Sequence, residues 1–144
     1  MANKLSFVLF ALAATFSAGF GGVHSDNPAV TLERIESASR NYAAGLRSEN
    51  QGVVESTIQR IAKMKLQVPD ANTDELREEL NHVSVRHQSP VVRFKAYIAA
   101  CICNDPEWFA QDRILAEADG DRIFIYAIER LEQKVFSTTT FELR

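Results

Sequence analysis

Cysteine, glycine, proline and net charge are all scarce in this chain, and each scarcity narrows what it can be. Two cysteines, Cys101 and Cys103, are too few for a disulfide scaffold and cannot alone complete a tetrahedral zinc site. Six glycines and four prolines among 144 residues exclude a collagen-like or low-complexity disordered chain. The formal charge of −3 offers no basic face to displace counterions from phosphates, which argues against DNA or RNA as partners. Also lacking are a nucleophile elbow, a metal-binding histidine pair on one helix face and a Gly-rich phosphate cradle. What is present, 46% hydrophobic and 24% charged residues, suits one folded domain.

The first segment carries the most specific signal. After Met1 and a short region containing Lys4, an apolar run extends from Leu5 to Phe20 with only Ser6, Thr15 and Ser17 as interruptions. This is the layout of a bacterial-type secretory signal peptide. A membrane-spanning helix needs roughly 20 apolar residues; this run is shorter, ends among Gly19, Gly21 and Gly22, and has no basic cluster after it. Val23-His24-Ser25 offers compact side chains to a signal peptidase, so residues 1–25 are expected to be cleaved, with Ala18 as the second choice of site. Lys4 is the only Lys, Arg, Asp or Glu in 1–25, so cleavage would take the charge from −3 to −4. The expectation is an exported, periplasmic or extracellular protein with no membrane span after cleavage.

Beyond the leader, capping residues punctuate the chain. Asn27-Pro28, Ser89-Pro90 and Asp105-Pro106 each place an N-cap before a proline whose missing N–H costs nothing at the first helical position. Leu32, Ile35, Ala38, Ser39, Tyr42, Ala43 and Leu46 follow amphipathic-helix spacing to about Ser48. A second helix runs from Gly52 to Val68, where Pro69 stops it, with Val53, Val54, Ile58, Ile61, Ala62, Lys65 and Leu66 as its patterned residues. A third begins near Asn72, whose spacing to Glu75 is that of a capping box. The fourth spans Pro90 to Cys103, the fifth Pro106 to Ala118 and the sixth Asp121 to Val135. Residues 26–136 form the helical domain, and 137–144 are a C-terminal tail that reads as a short strand or frayed end because of its threonines.

Gly52-Val53-Val54-Glu55-Ser56-Thr57-Ile58 aligns with Pro90-Val91-Val92-Arg93-Phe94-Lys95-Ala96 at a shift of 38 residues, each starting the second helix of a pair. A weaker third copy starts at Gly120, with Ile123 matched to Val92 at a shift of 31. Such periods suggest a helical solenoid. The stretch from Ser89 to Ala96 resembles the start of the second helix in HEAT-type repeats, with Pro90, the Val92-Arg93 pair and Ala96 as the matching residues. Glu55 and Phe124 stand where the other copies would carry the arginine. The expected fold is therefore all-α, about three stacked antiparallel helix pairs, with a compact six-helix bundle as the alternative.

What the resemblance implies is a binding surface, since second helices of HEAT-type proteins line a concave face. Glu55, Gln59, Arg60 and Lys63 on one helix, and Arg93, Lys95 and Tyr97 on the next, become the candidate contacts for a protein partner. Arg93 has a competing role by the same resemblance, tying neighbouring helices together through a carboxylate. Other motifs have simpler readings. Asp70-Ala71-Asn72-Thr73-Asp74 has the oxygen spacing of a calcium loop, yet Glu75 occupies the required glycine position and Asn81 that of the closing glutamate, so a turn is expected. Asp119 and Asp121 flank a helix-to-helix turn. Cys101 and Cys103, two apart on a helix, read as small core residues. His82 and His87 lie near a helix C-terminus without a catalytic partner, and Trp108 with Phe109 reads as packing. The leading expectation is a non-enzymatic interaction module needing no cofactor or metal. The alternative is a small-ligand, metal-binding or enzymatic helical domain.

Overall fold

The computed structural model describes residues 28–142, which form seven α-helices and no strand: α1 Pro28–Leu46, α2 Gln51–Gln67, α3 Asp74–Arg86, α4 Pro90–Asn104, α5 Pro106–Ala110, α6 Arg113–Glu117 and α7 Arg122–Glu142. The signal peptide expected over 1–25 lies outside the described residues.

Local chemistry explains the boundaries. The Asn50 side chain accepts from the N–H groups of Gly52 at 2.9 Å and Val53 at 3.3 Å, satisfying two orphan donors at the start of α2. Ser89 Oγ accepts from Val92 N–H ahead of α4, whose first residue is Pro90. The capping box at Asn72 is displaced by one: Thr73 is the N-cap of α3, and Asn72 Oδ1 accepts from Asp74 N–H at 3.1 Å. The expected fifth helix is broken in two. Asp112 Oδ1 takes the N–H groups of Ile114 and Leu115, a capping arrangement that starts α6 anew and ends α5 after little more than one turn. Gly120 adopts φ +59, the left-handed conformation that turns the chain into α7. Residues 137–142 continue α7 as helix, so the threonines there form no strand.

The core is built on α2 and α4. Val54, Ile58 and Ile61 of α2 and Val92, Ala96, Ala99 and Ile102 of α4 are completely buried. The burial pattern is compatible with the repeat alignment, since Val54, Val92 and Ile123 are buried at one aligned position and Ile58, Ala96 and Ala127 at another. Helix α1 packs on α2 and α3, and α3 on α4, giving two antiparallel pairs in two layers, with α7 against α4. α1 and α2 approach closely at Gly45, where a Cβ would strike the Thr57 side chain. The third unit departs from the stack: α5 packs chiefly against α2, reaching across the core through Phe109, which is 1% exposed, and α6 joins α7. The result is an all-α stack of helices closed at one end by a broken helix.

Candidate functional site

All seven sequence-predicted contact residues lie on α2 or α4, and five of them are engaged by the molecule itself. Lys95 is the hub. Its side chain is only 11% exposed, and its Nζ donates to Glu55 Oε2 at 2.9 Å and to Asp121 Oδ1 at 2.8 Å. Gln59 Nε2 donates to the same Asp121 oxygen at 2.7 Å, so the network joins α2, α4 and the residue before α7. Burial opposes the charge on Lys95, but the bonds to Asp121 and Glu55 outweigh it and raise the pKa of the ammonium. Hydrogen bonds from Gln51 and Lys95 hold Glu55 below its ordinary value, and the Lys95 bond does the same for Asp121.

Lys63 is likewise turned inward. Its Nζ donates to the carbonyls of Ala116 at 3.2 Å and Ala118 at 2.8 Å and lies 3.1 Å from Asp119, tying α2 to the end of α6. Arg93 donates to the carbonyls of His87 at 2.8 Å and Gln88 at 3.1 Å. It therefore stabilises the α3–α4 turn through backbone carbonyls instead of the carboxylate that the repeat resemblance implies. Lys65, buried at 7% exposure, clamps the α2–α3 turn by donating to the carbonyls of Pro69 and Ala71, both at 2.6 Å. Arg60 and Tyr97 are the two predicted residues that remain largely at the surface.

Around this network the surface is apolar. Val91 (56% exposed) and Phe94 (48%) stand on α4, Val53 (42%) on α2 and Ile125 (52%) on α7. Charge-based reasoning passed over these residues, although the repeat alignment carried the signal: Val53 corresponds to Val91, and Phe94 to Ile125. Tyr97, 56% exposed, continues the row along α4 toward Cys101.

That row leads to a cleft of about 380 Å³ bounded by α3, α4, α5 and α7. It opens beside α5, which packs more closely on α2 than on α4. Ala100, Phe109 and Leu131 form its apolar lining, and Arg77, Asn81 and Lys134 its polar margin. Trp108 stands edge-on to Phe109, with centroids 4.8 Å apart and planes at 76°, the packing expected of the pair. Arg130 and Lys134 each lie 4.5 Å from the Trp108 ring centre, and Arg130 donates to the Trp108 carbonyl. The two cysteines differ. Cys103 is buried beneath Thr73, and burial pushes its thiol up to about 11. Cys101, expected in the core, is instead half-buried and lines the cleft, where it raises the pKa of the Tyr97 hydroxyl through its charge and a hydrogen bond.

The Asp70–Asp74 segment is a turn leading into α3, and among the described residues no group of three His, Cys, Asp or Glu side chains is placed to hold a metal ion. No helix among them is long and apolar enough to cross a membrane. His87 Nδ1 accepts from Ser89 N–H at the α3–α4 turn, a structural role. Comparison of the chain with protein-family models, with curated proteins and with solved structures gave no match.

Proposed function

We propose that this chain is an exported, HEAT-like helical interaction module that docks a protein partner on the face formed by α2, α4 and α7. The observation that carries the reading is the set of exposed apolar residues on α2, α4 and α7 that pair by repeat position, Val53 with Val91 and Phe94 with Ile125. Full burial of such a side chain is favourable by about 1.5–3 kcal/mol, and these half-exposed residues would gain about half of that each, enough for several together to anchor an interface. The Lys95 network lies among them and fixes the relative positions of the three helices, so the face is preorganised. Export rests on the apolar run Leu5–Phe20 with Lys4 before it. The activity proposed is binding without catalysis; Arg60 and Tyr97 remain candidate contacts at its margins.

The test is capture from envelope extracts, comparing wild type with Phe94→Ser/Ile125→Ser and with Arg60→Glu, each first shown to be folded by circular dichroism. A partner held by wild type and lost by the double variant supports the face, and loss with Arg60→Glu extends it along α2. A partner held equally by all three, or no specific partner, refutes the assignment.

A further inference from the structure

We propose that the cleft between α3, α4, α5 and α7 binds a small organic anion with an aromatic body, such as an aryl carboxylate. The cleft, of about 380 Å³, falls at the lower end of the range of small-molecule sites, about 300–1,000 Å³. Its lining combines an apolar floor with a few convergent polar groups. Ala100, Phe109 and Leu131 offer a surface for a ring, with Tyr97 and Trp108 beside them.

Charge decides which ligand fits. Arg77 and Lys134 line the cleft against a single carboxylate, Asp105. Asp105 lies 3.4 Å from Lys134 and is taken up by it. Among the described residues Arg77 pairs with Asp74 at 3.2 Å, and that carboxylate is 74% exposed, so water screens it and a carboxylate entering the cleft can compete for the guanidinium. A cationic ligand would be opposed, because Arg77 and Lys134 line the cleft and Lys134 and Arg130 already lie against the Trp108 ring. The side-chain amides of Asn81 and Asn104 line the same cleft and bond to no other described residue, leaving donors for a second ligand oxygen. The site adjoins the docking face at Tyr97, but Phe94 and Ile125 do not line it.

The molecule carries its own reporters. Cys101 lines the cleft while Cys103 is buried, and Trp108 is the single tryptophan. The experiment measures iodoacetamide alkylation of Cys101 by peptide mass, and Trp108 fluorescence, on the purified protein with benzoate, indole-3-acetate, benzamide or benzylamine. With a Kd of about 1 mM, ~10 mM aryl carboxylate leaves about one site in ten free and slows alkylation about tenfold. Benzamide should protect less and benzylamine not at all. Arg77→Met/Lys134→Met should abolish protection and Arg77→Lys should retain most of it. Phe94→Ser, which alters only the docking face, should leave protection intact. Both cations are partly exposed, so their loss is compatible with folding; the single variant Arg77→Gln provides the same comparison should the double variant melt early. The proposal fails if no aryl carboxylate protects Cys101 or changes Trp108 emission, if benzylamine protects equally, or if the folded charge-removed variants are still protected.

Discussion

Replacing Lys95 with methionine isolates what its charge contributes, because Met keeps most of the apolar stem and removes the ammonium. Lys95 donates to two carboxylates of different exposure, Glu55 at 25% and Asp121 at 65%. A hydrogen bond to a charged group contributes about 1.5–3 kcal/mol when sheltered, whereas exposed ion pairs contribute about 0–1 kcal/mol. The Glu55 bond belongs at the low end of the first range and the Asp121 bond within the second. Relief from burying the ammonium offsets part of their sum, leaving a net cost of about 1–2 kcal/mol, or roughly 4–8 °C in Tm for a domain of this size. Urea unfolding followed by circular dichroism at several pH values supplies the decisive comparison. Glu55 and Asp121 titrate below their ordinary values in the fold, so their stabilisation is present above the unfolded pKa values of about 4.3 and 3.9 and is lost as pH falls through the lower folded values. Lys95 is raised, so its share is complete below about 10.4 and is lost as pH rises through its folded value. The gap between wild type and Lys95→Met should therefore be flat from about pH 5 to 10 and shrink at both ends, reversing in acid where wild type retains a sheltered, unpaired ammonium. An equal gap at about pH 2 and 7 would refute the reasoning and assign the role of Lys95 to packing of its stem.

Gly45→Ala, which in an open helix would stabilise, should here cost about 1–2 kcal/mol by overpacking on Thr57, and a second change, Thr57→Ala, should recover most of it in a double-mutant unfolding cycle. Arg93→Met should lose about 1–2 kcal/mol through the carbonyls of His87 and Gln88, with Arg93→Lys partly restoring stability in thermal melts; no loss would return Arg93 to the docking face. The mature protein recovered from an envelope or culture fraction should begin at Asp26 by intact mass, and retention of residues 1–25 in that fraction would overturn the cleavage reading.

Much of the fold was legible in the sequence because capping is local chemistry. Ser89-Pro90 and Asp105-Pro106 mark the starts of α4 and α5 with no tertiary information. The break at Asp112 had a signal too, an N-cap residue inside an otherwise continuous pattern, but helices of five residues are too short for periodicity to expose the interruption. The inward turn of Lys95 and Lys65 was also readable: each shares a three-and-four register with buried residues, Lys95 with Val92 and Ala99, Lys65 with Ile58 and Ile61. For Lys95, reading charge as solvated surface hid it, whereas Lys65 already falls in the apolar pattern of α2. Their partners were not readable, since Glu55, Lys95 and Asp121 are brought together only by packing of three helices. The cleft was invisible for the same reason. It follows from the direction in which α5 leaves α4, and no residue pattern along one helix encodes that direction.

The lysine clamps bear on how this chain can be edited. Lys65 holds the carbonyls of Pro69 and Ala71, and Lys63 those of Ala116 and Ala118, so both connections are molded around a side chain of α2 and would lose their fit if lengthened by even one residue. The turn from Arg47 to Asn50 keeps its backbone shape locally, Ser48 bonding back to Gly45 and receiving the N–H of Asn50, while the Arg47 side chain reaches across to Glu79 of α3. A reporter domain or epitope spliced after Ser48 should leave the stack intact, whereas the same insertion after Asp70 should unseat a buried ammonium and unfold the junction between the first two helix pairs.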